Sequence, residues 1–409
     1  MRHAIIAGGG IGGLTTALAL HAIGWRVTVC EAVGTLAPLG VGINVLPHGA
    51  EVLHGLGLGP ALDATGIRTR AIEYRTRYGH VLSSDPRGVE AGFAFPQYSI
   101  HRGALQFLLL DALRARAGAE ALRSGHRFVA VAEDGEGVTA TFATSAGEVA
   151  LSGDILIGAD GFHSAVRRAL HPDEGPARAE GMMMFRGAHE QAPFGDGRTM
   201  VIAGNHDVKF VVYPISEEAR QRGRALINWV AEVRHDAPRP ASEADWTRLG
   251  DRAFIDAFRD FHLPDLDIVA LMQATGTITE YPMIDRDPLP SWGRGRVTLL
   301  GDAAHPMYPI GANGASQTIV DAAALAAALT DAPDPGTGLR AYEDERRPKT
   351  AEVVLANRRS GPEAVLDIAD ARLTGPGDRV EDLVTPAERE AIAARYRQVA
   401  GFVKRGETA

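Results

Sequence analysis

Apolar residues in the first 30 positions follow three patterns, and each pattern predicts a different element. Residues 3–7 form a short continuous apolar run, which is typical of a buried strand. A run of glycines follows, then apolar residues at helical spacing over 14–23, and then an alternating run over 26–30. The order strand, turn, helix and strand predicts a βαβ unit.

The middle of the chain predicts a second helix and two groups of strands. Residues 102–116 place leucines on one helical face, and the strand patterns after them end at Asp160. Between 182 and 282 the pattern changes to apolar runs typical of an antiparallel sheet. The predicted strands are 129–141, 147–157, 182–185, 210–213 and 225–233, and Ala237 to Glu243 are predicted as a loop.

A buried-strand pattern returns at 296–300, so the second sheet interrupts the first domain. A long helix is predicted to begin near Asn313, because asparagine is a good N-cap residue. From residue 351 the composition is helical, with breaks at Gly361-Pro362 and Gly375-Pro376. The pattern therefore predicts one discontinuous domain that carries an inserted domain.

Composition narrows the class of protein. The 409 residues, with 45% hydrophobic and 23% charged residues, suit two or three globular domains. A net charge of -9 without a dense lysine or arginine block argues against nucleic acid and membrane partners, and favours a small molecule. The single cysteine, Cys30, excludes an internal disulfide and a CxxC pair. With no predicted signal peptide or membrane span, the expected compartment is the cytoplasm.

The residues Gly8-Gly9-Gly10-Ile11-Gly12-Gly13 fit G-x-G-x-x-G between the first strand and the first helix. Glycines allow a tight turn and a close backbone approach to a pyrophosphate, and the helix N-terminus offers free N–H groups. Glu31 closes the second strand near the spacing expected for a ribose-binding acid. This context predicts dinucleotide binding, with a turn that only packs as the alternative, and it does not separate FAD from NAD.

Two later motifs also follow predicted strands. The first contains Asp160-Gly161 and Arg167, and the second begins at Gly301-Asp302 and continues through Asn313. Asp302 is able to accept hydrogen bonds from a polyol, and a helix N-terminus near Asn313 would stabilise an electron-rich ring. Taken singly, each motif is also explained by a structural turn or a helix start.

Together these elements resemble the group A flavoprotein monooxygenases, which have the p-hydroxybenzoate hydroxylase fold. Members share an N-terminal glycine fingerprint, a mid-chain DG motif and a late GD motif in this order, and the resemblance covers His3 to about Arg358. A finer similarity, to the 5-methylphenazine-1-carboxylate 1-monooxygenase branch, lies in residues 38–44, 86–92, 96–103 and 281–290. At Phe185-Arg186 the sequence departs from the Trp-Arg pair of that branch, so the substrate stays open.

The resemblance implies an α/β fold. A Rossmann-type, GR2-like FAD-binding domain carries an inserted antiparallel-sheet substrate domain, and a C-terminal helical segment follows. The predicted FAD-binding domain is 1–70, 98–180 and 283–350, the substrate domain is 71–97 and 181–282, and the C-terminal helical region is 351–409.

The resemblance also implies which residues hold FAD. The predicted contacts are Gly8, Gly10 and Gly13 with the pyrophosphate, Glu31 with the adenosine ribose, and Arg102 with a phosphate or ribose, and Ile11 and Gly12 of the same turn are also predicted to bind the cofactor. Asp160 and Arg167 would support FAD and the nicotinamide cofactor, and Asp302 would hold the ribityl chain. The isoalloxazine ring is predicted to lie between Gly42 and Ile43 on one side and Gly311, Ala312, Asn313 and Gly314 on the other.

The implied activity is hydroxylation of an aromatic or heteroaromatic substrate with O2, with NADH or NADPH as transient reductant, through a flavin C4a-hydroperoxide. Decarboxylation of an aromatic carboxylate is one possible form of this reaction. Pro309, Gly311 and Asn313 would position flavin and substrate, and no metal site is expected because the cofactor carries the chemistry. The substrate candidates are Phe185, Arg186, Tyr213, Asn228, Trp229, Tyr281 and Met283.

Several alternatives stay open. Aromatic strand residues equally suit a core, and Arg186 suits a surface ion pair as well as a substrate carboxylate. The chain is also compatible with an FAD-linked oxidase or reductase that inserts no oxygen, or with a non-catalytic flavin-binding module. The choice between NADH and NADPH and the oligomeric state are not determined by the sequence.

Overall fold

The computed structural model describes residues 1–38, 40–235, 248–358 and 363–399, with side chains described up to residue 392. The predicted loop Ala237 to Glu243 and the predicted break at Gly361-Pro362 lie outside the described residues. Within the described part of the chain, no helix is long and apolar enough to cross a bilayer.

The strands and helices follow in chain order. The strands are β1 (His3–Ala7), β2 (Arg26–Glu31), β3 (Gly42–Val45), β4 (Ile67–Arg68), β5 (Ala71–Arg75), β6 (Val81–Pro86), β7 (Tyr98–His101), β8 (Leu122–Ser124), β9 (Arg127–Glu133), β10 (Val138–Thr144), β11 (Gly147–Gly153), β12 (Ile155–Gly158), β13 (Arg178–Gln191), β14 (Thr199–Gly204), β15 (Val208–Pro214), β16 (Ala225–Arg234), β17 (Thr279–Asp285) and β18 (Val297–Leu299). The helices are α1 (Ile11–Ala22), α2 (Pro47–Gly55), α3 (Gly59–Thr65), α4 (Arg102–Ala117), α5 (Ala165–Leu170), α6 (Glu217–Gln221), α7 (Ile268–Ala274), α8 (Gly314–Thr330), α9 (Pro335–Asn357), α10 (Ala364–Asp370), α11 (Val380–Leu383) and α12 (Pro386–Val399).

The first sheet is parallel and has the strand order β18-β12-β1-β2-β8. All five residues of β1 are buried, as expected of a continuous apolar run covered on both faces. Its register sets Ala7 opposite Gly158 and Gly158 opposite Leu299. Because the three strands are parallel and end at the same level, the three motif turns leave the sheet side by side.

The large sheet has the strand order β17-β13-β16-β15-β14-β5-β6. The prediction of an antiparallel sheet is confirmed for five of its six strand pairs, whereas β5 and β14 are parallel. Strand β5 comes from a segment that precedes β13 to β17 in the chain, and it joins the sheet beside β14. Two smaller sheets, β11-β10-β9 and β3-β7-β4, flank the parallel sheet and the substrate side.

Strand alternation gives the large sheet two different faces. The register aligns Met184, Arg186, Val230 and Tyr281 on one face and Phe185, Ala231 and Trp229 on the other. We call the first the inner face, represented by Met184, Arg186, Tyr213, Asn228 and Tyr281, and the second the outer face, represented by Phe185, Phe210 and Trp229. The inner face meets Tyr308 and Ile310, whereas the outer face packs on Phe254, Phe258 and α7.

Several predicted boundaries shift in the structure. Helix α1 begins at Ile11 and not at residue 14, because the last two glycines of the motif form its first turn. The predicted strand at 129–141 is two strands with a turn between them, and the run 182–185 belongs to the 14-residue β13. The domain limits stay a prediction, and the one between 350 and 351 lies inside α9.

Candidate active site

Between β1 and α1 the chain makes a tight turn, and neighbouring backbone leaves no room for a side chain at two of its glycines. A Cβ at Gly13 would lie 1.9 Å from the carbonyl oxygen of Gly8, and a Cβ at Gly8 would lie 2.3 Å from that of Ala159. At Gly10 a Cβ would meet no atom within 4 Å, and α1 begins here without a side-chain cap. The first N–H groups of α1 are therefore left for an anion, and the turn fits a pyrophosphate.

The N-terminus of α8 lies beside that of α1. A Cβ at Gly12, in the first turn of α1, would lie 2.5 Å from Cγ2 of Thr318, so the two helices pack closely here. At Gly314 a Cβ would meet no atom within 4 Å, which leaves space in front of α8. A helix N-terminus stabilises negative charge, such as that of a reduced flavin ring. This edge of the parallel sheet therefore fits both the pyrophosphate and the flavin ring of FAD.

Glu31 closes β2 as predicted, and its carboxylate braces the glycine turn. One oxygen accepts a hydrogen bond from the backbone N–H of Gly9 at 2.7 Å, and the other accepts one from Val33 at 2.8 Å. Arg102 begins α4 and is exposed, while Ile43 is half-buried in β3 against the main core. Contacts of these three side chains with the cofactor stay a prediction.

Side chains of the DG turn form hydrogen bonds within the turn and with the start of α5. Asp160 accepts hydrogen bonds from the hydroxyl of Ser164 and from the N–H groups of Ala165 at 2.7 Å and Val166 at 3.2 Å. Burial raises the pKa of Asp160, although these hydrogen bonds oppose that effect. The carboxylate therefore stabilises the start of α5, and its predicted role toward FAD and nicotinamide stays untested.

Arg167 links the DG turn to the GD segment. Its side chain is buried, pairs with Glu174 at 2.6 Å, and donates to the carbonyls of Ala303 and Ala304, both at 2.9 Å. Asp302, between Gly301 and Ala303, is exposed, and none of the described residues hydrogen-bonds its carboxylate. The geometry leaves Asp302 available for the predicted contact with the ribityl chain.

The residues before α8 make a tight turn. Pro309 is exposed, and its carbonyl accepts a hydrogen bond from Ala312 N at 3.2 Å. Gly311 and Ala312 have φ of +69° and +57°, a left-handed conformation that costs energy in alanine. Asn313 precedes α8 as predicted, but its predicted side-chain cap is wrong, because its backbone is already helical at φ -80° and ψ -31°.

Strand β3 connects the large sheet to α8. The N–H of Gly42 donates to Oδ1 of Asn228 at 2.7 Å, and the Gly42 carbonyl accepts from Arg186 at 2.5 Å. Just beyond β3, Leu46 N donates to Oγ of Ser316, in the first turn of α8, at 2.8 Å. The predicted flavin-facing strand is therefore held between the substrate sheet and the helix that would face the ring.

Polar side chains of the inner face form a connected group. Arg186 donates to the hydroxyl of Tyr281 at 2.9 Å as well as to Gly42. Burial raises the pKa of Tyr213 to about 12, although the neighbouring Arg186 and Asn44 lower it. Tyr213 is thus a neutral hydrogen-bonding group at physiological pH.

Two predicted substrate residues do not reach this group. Phe185 lies on the outer face, where its ring stacks on Phe254 with 4.0 Å between centroids. Trp229 is also on the outer face and donates from Nε1 to Thr275 at 2.9 Å. Each is one residue out of phase with Arg186 or Asn228, so the strand register turns both side chains away from the inner face, and their contact with the substrate stays a prediction that this geometry does not favour. Met283, in contrast, packs with Tyr308 on the inner side.

Sequence reasoning missed polar residues that extend the inner-face group. Asn44 accepts a hydrogen bond from Ser99 at 2.7 Å, and Ser99 lies 2.7 Å from the hydroxyl of Thr69. Asn44 and Ser99 both fall in segments noted for their finer resemblance, 38–44 and 96–103. That resemblance was the available signal, but it did not show that β3 and β7 pair and bring the two residues together.

A cleft of about 300 Å³ opens beside the DG turn. Its lining is strongly basic, and Arg286 packs over the ring of Phe162 at 5.3 Å from its centroid. The residues that line the cleft include Phe162, His163, Arg167, Arg168, His171, Glu174 and Arg286. This concentration of cations suits an anionic ligand.

Comparison with known proteins agrees with this geometry. Residues 2–357 match the family described as FAD binding domain. The chain is 48% identical over 361 residues to the phenazine 1,6-dicarboxylic acid hydroxylase of Lysobacter antibioticus, which covers 87% of this chain and 88% of that protein. It is 34% identical over 396 residues to a 3-amino-4-hydroxybenzoate 2-monooxygenase of Streptomyces platensis, covering 94% and 92% of the two chains.

A solved structure shows the same fold with a flavin bound. The HpxO protein of Klebsiella pneumoniae, complexed with FAD and uric acid, superposes with a TM-score of 0.75 at 26% identity. The alignment covers 98% of this chain and 95% of that protein. The α/β architecture and FAD as the cofactor are thereby confirmed. The chain belongs to the FAD-binding-domain family and, within it, to the group A flavoprotein monooxygenases.

Proposed function

We propose that this enzyme uses O2 and NADH or NADPH to hydroxylate an aromatic or heteroaromatic substrate that carries a carboxylate. The observation that carries the proposal is Arg186 on the inner face. Its partners are the hydroxyls of Tyr281 and Tyr213 and the carbonyl of Gly42, and no carboxylate among the described residues pairs with it. A cation turned toward the site without an anionic partner favours an anionic ligand.

Two unused hydrogen-bond donors support the same ligand. Nε of Arg186 and Nδ2 of Asn228 are buried and have no hydrogen-bond partner among the described residues. Both side chains also hydrogen-bond to the backbone of Gly42, so the two residues lie against the same position of β3. A carboxylate offers two acceptor oxygens and a negative charge, which would satisfy both donors and the guanidinium.

The rest of the inner face suits a flat ring. Met184, Val230 and Met283 form an apolar surface that continues into Tyr308 and Ile310. Ligand sites typically combine such apolar walls with a few fixed polar groups. The names of two relatives, a phenazine 1,6-dicarboxylic acid hydroxylase and a 3-amino-4-hydroxybenzoate 2-monooxygenase, also describe aromatic carboxylates.

In the proposed mechanism the protein supplies position and a dry environment. Bound FAD would supply the redox chemistry that transfers reducing equivalents from the nicotinamide and activates O2. Arg186 and Asn228 would anchor the carboxylate, and the apolar inner face would exclude water from the ring. Tyr213 would stay protonated and donate a hydrogen bond, because its pKa is raised to about 12.

We further infer that the basic cleft beside the DG turn receives the diphosphate of the nicotinamide cofactor. Arg168 and Arg286 would bind the phosphate oxygens, because guanidinium groups bind them in pairs of hydrogen bonds, whereas Arg167 is already held by Glu174 and by the carbonyls of Ala303 and Ala304. A cytoplasmic location accords with this reductant and with Cys30, which is a free, buried thiol.

The decisive experiment compares Arg186→Ala with wild type on paired ligands that differ only in a carboxylate. We expect the apparent KM for carboxylated ligands to rise about 10- to 100-fold, because a charge-assisted hydrogen bond contributes about 1.5–3 kcal/mol. Neutral ligands should change little. Product mass and peroxide are recorded together with NADH and NADPH oxidation.

The matched control is Arg75→Ala, because Arg75 on the same sheet is already paired with Glu73 at 2.6 Å. An equal rise in KM for carboxylated and neutral ligands would contradict the anchoring role of Arg186. Gain of one oxygen by the product supports hydroxylation, and accompanying loss of carbon dioxide identifies the decarboxylative form. Stoichiometric peroxide with every ligand would instead favour an oxidase.

A further inference from the structure

Asp321 in α8 is fully buried and holds three groups at once. Its Oδ2 accepts the backbone N–H of Gly301 at 3.2 Å and lies 2.5 Å from Nε2 of His305. Its Oδ1 accepts a hydrogen bond from Nε of Arg346, in α9, at 2.7 Å. One carboxylate therefore joins α8, α9 and the segment that follows β18.

The two contacts of Oδ2 mark the ends of one short segment, Gly301–His305. Within it, His305 N and Ala304 N both donate to the carbonyl of Gly301 at 2.8 Å. Arg167 holds the carbonyls of Ala303 and Ala304 from the other side. The segment is thus fixed at both ends and along its backbone, while the side chain of Asp302 stays exposed.

The charge of Asp321 is maintained by its partners. Burial raises the pKa of its carboxyl, but His305 and Arg346 outweigh burial and lower the pKa below its ordinary value. An ionised carboxylate makes stronger hydrogen bonds than a neutral amide does. Replacement by asparagine would therefore keep the shape of the side chain and weaken all three contacts.

We propose that Asp321 is a positioning residue for FAD, which acts through His305 and Gly301. It lies two turns after the N-terminus of α8, the helix end that fits the flavin ring. By tying Gly301–His305 to α8, Asp321 fixes the position of Asp302 relative to the N-terminus of that helix. The polyol chain and the ring of a single FAD molecule then meet both elements together. This inference rests on FAD binding alone and not on the proposed substrate.

The experiment titrates FAD into apo-protein and then measures the midpoint potential and visible spectrum of the bound flavin. Asp321→Asn and His305→Leu should each raise the Kd for FAD at least tenfold. The potential should shift to more negative values, because a misaligned α8 stabilises the reduced ring less. His305→Gln, which keeps a donor near the position of Nε2, should restore the Kd to within about threefold of wild type.

A matched control separates positioning from general loss of stability. Asp285 is also fully buried and pairs with an arginine, Arg358, at 2.7 Å, but it joins β17 to the end of α9. Asp285→Asn should lower the melting temperature of the apo-protein and leave the Kd for FAD within twofold. Wild-type Kd and potential in both Asp321→Asn and His305→Leu would overturn the proposal.

The proposal would also be overturned if Asp285→Asn raised the Kd as much as Asp321→Asn does. No aromatic substrate is present in these titrations. The result is therefore independent of the outcome for Arg186→Ala, and the two proposals fail or hold separately.

Discussion

The turn at residues 8–13 and the inner face of the large sheet form their parts of the site in opposite ways. In the turn the backbone carries the chemistry, and side chains are excluded by contacts as short as 1.9 Å. On the inner face the side chains carry it, and strand register decides which of them take part. The difference teaches that cofactor binding depends on local chain shape, whereas substrate binding depends on which side of a strand a residue occupies.

The largest effect is expected from a substitution that disturbs the backbone of the turn at residues 8–13. In Gly13→Ala the new Cβ would overlap the carbonyl oxygen of Gly8 at 1.9 Å, which only a backbone shift relieves. We expect the apo-protein to lose about 3 kcal/mol of unfolding free energy, the upper end of the usual cost of overpacking, and to lose FAD binding. Urea unfolding and FAD titration measure the two losses.

Gly10→Ala is the matched control for Gly13→Ala. Its Cβ meets no atom within 4 Å, and its φ of -76° suits alanine. Apo-protein stability should stay within about 1 kcal/mol of wild type, while FAD affinity falls if the pyrophosphate lies there. Equal instability of the two variants would contradict the difference between these glycines.

The next effect sharpens the contrast between the two faces of the sheet. Phe185→Ala removes a ring from the outer-face core, so the unfolding free energy should fall by about 3–5 kcal/mol. The KM for the aromatic substrate should stay near the wild-type value, because Phe185 faces away from the site. Steady-state kinetics below the melting temperature test this.

Trp229→Phe provides a milder form of the same test. It removes the Nε1 donor to Thr275 and should cost about 1 kcal/mol of stability without changing KM. A selective rise of KM in either outer-face variant would show that this face reaches the substrate.

A smaller effect is expected at Asp302, where a side chain and not the backbone is predicted to contact FAD. Asp302 is exposed, so Asp302→Ala should leave apo-protein stability within about 0.5 kcal/mol. FAD retention should weaken about tenfold, because a charged hydrogen-bond acceptor for the ribityl chain is lost. Full retention with an unchanged absorbance spectrum would count against this role.

The smallest effect concerns His48 in α2, whose neighbour Gly49 packs on Ser316 of α8. Burial, helped by the charge of Arg346, lowers the pKa of His48 to about 4. As pH falls from about 6.5 toward 4, the unfolded chain takes up a proton at His48 that the folded protein does not. The neutral side chain of His48 therefore contributes to the unfolding free energy at neutral pH, and this contribution is lost on acidification.

His48→Gln should flatten this pH dependence. Between pH 7 and pH 5 the wild type should lose on the order of 1 kcal/mol more unfolding free energy than the variant does. Urea unfolding at the two pH values measures the difference. Parallel losses in both proteins would mean that other groups account for the acid sensitivity.

The sequence predicted the backbone-built part of the site best. The glycine spacing from Gly8 to Gly13, between a strand and a helix pattern, predicted both the turn itself and a dinucleotide as its ligand. The face on which Phe185 and Trp229 lie was not accessible, because β13 and β16 are apolar on both faces and the pattern therefore does not reveal which residues point inward. The roles of Asp160 and Asp321 were hidden for another reason, since their partners become visible only in three dimensions.

The level at which β1, β12 and β18 end has a consequence for biosynthesis. The turns that begin at Gly8, Ala159 and Leu300 lie side by side in the sheet but far apart along the chain. A nascent polypeptide leaving the ribosome exposes the first turn early and the last one only after about three quarters of its length is made. The three turns that together fit FAD are therefore all available only once the segment through α8 has been made, and the parallel strand pairs that align them join segments far apart along the chain, which makes their formation a slow step of folding.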